Sequence, residues 1–419
     1  MKTRISFIIV SFILMFCISF LFEEKKVREG IPVEPVTIFT ATDLHYLSPE
    51  LTDNGEYFTR MVEQADGKVT LYSEELTEAF IREMIEKKPD VLILSGDLTF
   101  NGAEKSHRDL EKKLERVEEA GITVLVIPGN HDLNNPMAAS FHGERYQPEP
   151  GITGEQFENI YREFGYEQAV AKDMDSLSYV AQVTPDLRIL MLDVNGTKMS
   201  GSASRKTVQW VGEQLQAAEN EGCRVLTVSH QNVLAHNSVF TDGFMIGNGG
   251  VLQSIYEKYR VICNLSGHMH IQHIARSGGG LTEIVTSSLA VSPNQYGVLK
   301  LSGNQADYHT EQTDVSAYAG MERLSDPNLL HFSDYSRLFF RENSLRQVKA
   351  GLDGSQYADE KADAFADVNA AYFAGRLDRI DRENAWVREW TKDQGFSGLY
   401  MRSILDEEAR DHRKEQFGF

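Results

Sequence analysis

Residues 126–132 read VIPGNHD, and this stretch decides how the chain is understood. Val124, Leu125, Val126 and Ile127 form an apolar, β-branched run that predicts a buried strand. Pro128-Gly129 stops that strand abruptly. A turn there requires Gly and accepts Asn, but it has no need of His131 and Asp132 as well. A strand tip that releases Asn130, His131 and Asp132 together points to chemistry.

Working outward, the same pattern recurs. Strands are predicted over 36–42, 91–96, 123–127, 188–193, 224–229 and 261–266, and amphipathic helices over 74–88, 104–120, 154–164, 205–221 and 249–258. Alternation of this kind predicts an α/β domain with a largely buried sheet. The polar segment 45–71 reads as a loop over the strand tips. Residues 271–312, with Gly278-Gly279-Gly280, read as an antiparallel section completing a second sheet. Ala358, Ala362, Phe365, Ala366, Phe373 and Leu377 recur at helical spacing, so 313–419 is expected to be a small all-α domain behind a catalytic domain at 31–312.

Four further strand ends resemble the first. ATDLH (41–45) places Asp43 and His45 two residues apart, and alternation along a strand would aim both the same way. LSGDL (94–98) supplies Asp97, VSH (228–230) supplies His230, and LSGHMH (265–270) supplies His268 and His270. In an α/β fold such strand ends meet at one edge of the sheet. Imidazole nitrogens with carboxylate and amide oxygens suit Mn, Fe or Zn, with no need for thiolate. Seven such groups exceed one tetrahedral ion and suit a pair of ions sharing a carboxylate, ~3.5–4 Å apart, the usual clamp for displacement at phosphorus.

The ordered series DLH, GD, GNHD, H and GHMH, spanning Asp43 to His270, resembles the signature of the calcineurin-like metallophosphoesterases. GNHD is the form found in class III cyclic nucleotide phosphodiesterases. The N-terminal apolar run and helical tail are similar to secreted, Gram-positive-type members. The resemblance implies a four-layer αββα sandwich, two facing mixed sheets flanked by helices. It assigns Asp43, His45 and His270 to one metal, Asn130, His230 and His268 to a second, and Asp97 to the bridge. His131 is then the general acid or phosphate-orienting group, with Asp132 fixing its tautomer. Asn101, just beyond Asp97, is a candidate substrate contact, whereas His107 reads as loop hydrogen bonding or a solvated helix start.

The implied reaction is hydrolysis of a small phosphodiester such as a cyclic nucleotide, by in-line attack of a hydroxide bridging two metal ions. Two other classes stay open: a phosphomonoesterase, nucleotidase or phosphoprotein phosphatase, and an inactive, membrane-tethered binding module. With 42 basic against 62 acidic residues and a net charge of −20, the chain is not expected to wrap long nucleic acid.

Lys2 and Arg4 precede Ile5–Phe22, an unbroken apolar run of 18 residues, and no small-x-small cleavage site precedes Glu23-Glu24. Residues 1–30 therefore read as a signal peptide or, preferentially, an uncleaved membrane anchor with its tether, and the remainder as extracytoplasmic. If the segment is cleaved, the protein is secreted. Cys223 and Cys263 lie in apolar strand runs, where small buried thiols are the simple expectation and a disulfide between them stays open.

Overall fold

The structure, a computed structural model, describes residues 33–196, 201–352 and 357–419. The apolar run that motivates the anchor expectation lies outside these residues. Among the described residues no helix is long and apolar enough to cross a membrane.

Strand β1 (Val36–Ala41) pairs in parallel with β2 (Val91–Ser95), and β2 with β3 (Thr123–Ile127). Helices Ser73–Lys87 and Glu104–Glu119 make the crossovers, as parallel pairing demands. All five residues of β2 are buried, the mark of a strand covered on both faces. A hairpin of β4 (Ala139–His142) and β5 (Arg145–Pro148) stands apart from the main sheets.

The chain then lays down β6 (Ala171–Lys172), β7 (Tyr179–Thr184), β8 (Leu187–Leu192), β9 (Arg224–Ser229), β10 (Asn264–Ser266), β11 (His273–Arg276) and β12 (Thr282–Val285). These form the second sheet, in the order β11-β12-β10-β9-β8-β7-β6. Its centre, β8-β9-β10-β12, is parallel. Helix Arg205–Glu221 covers it, starting at an Ser204 cap and ending on Gly222 in the left-handed region.

Period-two alternation explains how both faces are buried. Ile189 and Met191 of β8 join Leu226 and Val228 of β9 in a core shared with β1, β2 and β3. Leu190 and Leu192 of β8 point the other way, against Val211 and Leu215 of helix Arg205–Glu221. The two sheets thus face each other and carry helices outside. Each large apolar side chain so buried contributes roughly 1.5–3 kcal/mol relative to exposure.

Residues 271–312 divide differently from expectation. Strands β11 and β12 do complete the second sheet, but the hairpin β13 (Gln295–Ser302) and β14 (Gln305–Gln312) joins the first, beside β1. Alternation in the hairpin could not tell which sheet it would join. The segment 45–71 is also more ordered than a loop, since it forms the helix Glu56–Glu63, whose Phe58 and Val62 are buried against Phe141. The C-terminal region is helical through Leu405, and the chain then returns as β15 (Lys414–Gly418) on the edge of β14. Cys223 and Cys263 are both free thiols.

The helices Phe332–Leu352, Ala358–Phe373, Ala385–Trp390 and Phe396–Leu405 share a core with Met269, Ile271 and Val285. Met269 and Ile271 flank His270, so the helical region packs on the segment carrying two of the candidate ligands.

Candidate metal centre

Strands β1, β2 and β3 are parallel in one sheet and β9 and β10 in the other, so within each sheet their C-terminal ends share an edge. Asp43, Asp97, Asn130, His230 and His268 each lie within three residues of such an end. Strand alternation is not what aims them. Asp43 and His45 lie beyond β1 with φ of 53° and 45°, and Asp97, His268 and His270 have φ of 48°, 67° and 60°. A left-handed backbone at a non-glycine residue costs about 1–2 kcal/mol, and it turns each side chain inward. Hydrogen bonds between the two segments hold that conformation, from Asp43 N to Gly96 O and from His45 N to Asp97 O, both at 3.0 Å.

The glycines of the motifs make room for the carboxylates. A Cβ on Gly129 would fall 2.1 Å from Asp97 Oδ1, and one on Gly267 would fall 2.6 Å from Asp43 Oδ2. GNHD and GHMH therefore need glycine because ligands from other strands occupy the space a side chain would take.

The seven predicted ligands converge. Ligand atoms of Asp43, His45, Asp97 and His270 lie within 4.8 Å of one another, as do those of Asp97, His230 and His268, so Asp97 belongs to both groups. His270 Nε2 is 3.2 Å from Asp43 Oδ1 and 3.2 Å from His45 Nε2. His230 Nε2 is 3.4 Å from Asp97 Oδ2 and 3.2 Å from Asn130 Oδ1.

The hydrogen bonds show why a cation fits. His230 Nδ1 donates to Ser95 O at 2.9 Å, which turns Nε2 to the two oxygens. Burial opposes a charge there, but Asp97 raises the ring to about 9, so the site itself draws positive charge to this position. His268 Nε2 likewise donates to Gly243 O at 2.9 Å, leaving Nδ1 for the centre. Asp43 Oδ1 and His45 Nδ1 are buried without a hydrogen-bond partner. Such a gathering of acceptors is costly unless positive charge joins it. Burial opposes ionisation of Asp97, yet the charge and hydrogen bond of His230 hold its carboxyl well below the usual range. Burial, followed by the charge of Lys68, keeps His45 neutral. An ionised carboxylate and a neutral imidazole are the forms that bind metal.

His131 stands apart from the ligand groups. Its backbone N–H donates to Asp97 Oδ1 at 2.8 Å, its Nδ1 donates to Phe100 O at 2.9 Å, and its Nε2 lies 3.9 Å from Asp97 Oδ2. The side chain is 35% exposed, against 0% for His45 and His230, so it alone of the three is open to a substrate.

Two expected roles are corrected. Asp132 does not touch the His131 ring, whose orientation is set by the Phe100 carbonyl. Its buried carboxylate accepts from the N–H groups of Gly129, Leu98 and Thr99 at 2.8, 3.0 and 2.9 Å, tying the loop after β2 to the loop after β3. Burial, with the charge of Asp97, pushes it up to about 6. Asn101 is buried, its Nδ2 donating to Ala139 O at 3.0 Å and its Oδ1 accepting from Ala103 N, so its amide serves the loop. His107 lies in the first turn of helix Glu104–Glu119 and, against the expectation of a solvated helix start, is buried between Tyr161 and the Asp132 carbonyl as a structural histidine.

Sequence reasoning missed three supports. Thr42 Oγ1 donates to Asp43 Oδ2 at 2.7 Å, and Ser288 Oγ to Asp43 O at 2.8 Å. Lys68 is buried in an ion pair with Asp66, near enough to influence His45. Thr42 adjoins a motif and could have been suspected, but nothing local marks Ser288 or Lys68.

Comparison with known proteins agrees with this geometry. Residues 36–272 match the family model of the calcineurin-like phosphoesterases, and residues 314–411 match the C-terminal domain of cyclic nucleotide phosphodiesterase. Two similar proteins are both named "Probable cyclic nucleotide phosphodiesterase". The one from Vesicomyosocius okutanii subsp. Calyptogena okutanii (strain HA) is 25% identical over 182 residues, 43% of this chain. The one from Ruthia magnifica subsp. Calyptogena magnifica is 25% identical over 191 residues, 45% of this chain. The matches span 62% and 66% of those relatives, a little under two thirds of their length. Among solved structures, a dimetal phosphatase from Danio rerio superposes with a TM-score of 0.48 at 16% identity, covering 67% of this chain and 97% of that one. With the signature blocks in order, their side chains gathered at one edge of two facing sheets, and more than half of the chain matched by the family model, the chain belongs to the calcineurin-like phosphoesterase family.

Proposed function

We propose that the chain hydrolyses a small phosphodiester, with a cyclic nucleotide as the favoured substrate, at a centre of two metal ions. The observation that carries this is the single carboxylate of Asp97 shared by two ligand groups, with His131 beside it and open to solvent. Asp43, His45, Asp97 and His270 would hold one ion, and Asp97, Asn130, His230 and His268 the other. Bound ions of the Mn, Fe or Zn type would supply Lewis-acid stabilisation of the phosphoryl group and a water of lowered pKa.

The chain's own contribution follows from its hydrogen bonds. Phe100 O fixes the His131 ring with Nε2 facing the centre. In the imidazolium form, Nε2–H is the proton available to a leaving alkoxide. The peptide N–H of His131 holds Asp97 Oδ1, so a movement of this turn would disturb acid and bridge together. Thr42, Ser288 and the peptide N–H of His268 fix the Asp43 region, the last at 2.9 Å from Oδ2.

The matched C-terminal region and the similar proteins' names favour a nucleotide diester over other esters. The test is turnover of an aryl diester, an aryl monoester and 2′,3′- and 3′,5′-cyclic nucleotides, with added Mn²⁺ and with chelator. Bound metal is quantified in the same samples. Metal-dependent preference for diesters is expected. Preference for monoesters would move the function to a phosphatase or nucleotidase, and absence of both turnover and bound metal would favour the binding module.

We further propose an extracytoplasmic location, supported by the basic residues before the apolar run Ile5–Phe22. Protease added to intact cells should then digest the domain, and full protection until lysis would reject the topology.

A further inference from the structure

Beside the metal centre lies a cavity of about 540 Å³, within the range of roughly 300–1,000 Å³ usual for small-molecule sites. His268 and His270 form part of its wall, so the cavity opens directly beside the candidate ligands. The opposite wall comes from the C-terminal helices, and eight of the 17 lining residues are Phe or Tyr. Among the described residues no lysine or arginine lines it, and Asp66, already paired with Lys68, is its one carboxylate.

We infer that this aromatic cavity binds the nucleobase of the substrate, and that the C-terminal helices act by supplying its stacking surface. The inference rests on the phosphodiesterase function proposed above. Three observations select a base over other occupants.

The wall is aromatic where a binder of alkyl chains would be branched aliphatic, and base–ring stacking tolerates any base because every base has a π-face. A continuous series of rings leads away from the metal ligand: His268 to Phe244 at 5.4 Å, Phe244 to Phe240 at 5.2 Å, and Phe240 to Phe396 at 6.0 Å. Phe396, at the start of helix Phe396–Leu405, is 64% exposed, an unusual place for a large apolar ring unless something covers it.

Three polar groups of the wall are bonded to one another or to residues behind it. Tyr400 Oη donates to Asn369 Oδ1 at 2.5 Å, Asn369 Nδ2 donates to Ser344 Oγ at 2.9 Å, and Asn237 Nδ2 donates to Tyr372 Oη at 3.0 Å. These bonds hold the rings in place, so the cavity meets its ligand mainly with ring faces and edges. The absence of a lining cation among the described residues disfavours a further phosphate, and with it nucleoside triphosphates and polynucleotides.

The test uses the full chain with Mn²⁺ and adenosine, which carries a base and no phosphate. Adenosine should bind and should compete with hydrolysis of methyl p-nitrophenyl phosphate. Phe396→Ala and Phe240→Ala should each weaken adenosine binding about tenfold. Phe396 is exposed, so its replacement leaves folding intact. Phe396→Tyr should restore binding and Phe396→Leu should not, because stacking requires a ring.

Adenosine binding that is equal in all variants overturns the assignment, as does competition by n-octanol without competition by adenosine. Diester turnover with no adenosine binding overturns the cavity assignment alone. Adenosine binding that depends on Phe396, in a protein that turns over no diester, upholds the cavity and rejects the phosphodiesterase reading.

Discussion

The metal centre and the aromatic cavity share His268 and His270, yet they are built in opposite ways. The centre comes from five short motifs, each placed by the strand before it, and three of them are turned inward by left-handed residues. The cavity comes from rings scattered over residues 240–400, placed by one loop and by the helices Phe332–Leu352, Ala358–Phe373 and Phe396–Leu405. A site that must present lone pairs at fixed distances tolerates few arrangements and needs neighbouring ligands on one turn. A stacking surface tolerates many, so nothing constrains its residues to recur at readable spacing.

The sharpest way to break this comparison is at the shared carboxylate. Asp97→Ala removes the one group common to both ligand sets, and turnover should fall by well over a hundredfold, with loss of bound metal by elemental analysis. If metal content and rate survive, the two-group description of the centre is wrong.

Next is His131→Ala. Both ions should be retained while kcat falls roughly 10²–10⁴-fold, and more for alkyl than for activated aryl leaving groups. An equal loss on both substrate types would reject the general-acid role.

Gly129→Ala tests whether steric room makes the motif. The added methyl would overlap Asp97 Oδ1, so turnover should drop and stability should fall by about 1–3 kcal/mol in denaturant unfolding. Unchanged metal content would show that Asp97 can move without consequence.

The C-terminal region can be examined through His412, which is buried against β11 and stacks on His273 with ring centroids 4.0 Å apart. Burial, with the neighbouring His273 and Arg410 charges, pushes it down to about 2. The folded state therefore favours the neutral ring while the unfolded state protonates near pH 6.5. The stabilisation is whole above that pH and is lost as pH falls below it, by about 1.4 kcal/mol per unit. Between pH 6.5 and 5.0, His412→Gln should lose less stability than the wild type by up to about 2 kcal/mol. Parallel curves would mean that the ring is not held neutral. The smallest effect is expected for Asn101→Ala, a loss of about 1 kcal/mol of stability with KM unchanged. A raised KM would return Asn101 to the substrate.

Much of the centre was legible because its chemistry is unusual at strand tips: Asp43, His45, Asp97, Asn130, His230, His268 and His270 need no structure to look out of place. Asp132 misled because adjacency to His131 suggested a partnership, whereas the turn points its carboxylate at the peptide N–H groups of Gly129, Leu98 and Thr99. Asn101 misled for the same reason. Segment 45–71 was read as a loop because the apolar face of Glu56–Glu63 is only two buried residues, too little to register as a pattern.

By itself the sequence determined the alternating strands and helices, the apolar runs that bury both sheet faces, and the identity of the candidate ligand side chains. These depend on local periodicity and on residue chemistry, which are written in neighbouring positions. Tertiary structure alone decided which sheet the hairpin β13–β14 joins, that the last residues return as β15, and that rings as distant as Phe244 and Phe396 bound one cavity. Those outcomes depend on which surfaces meet when the helices pack against Met269 and Ile271, and free energy of that kind belongs to no single stretch of chain.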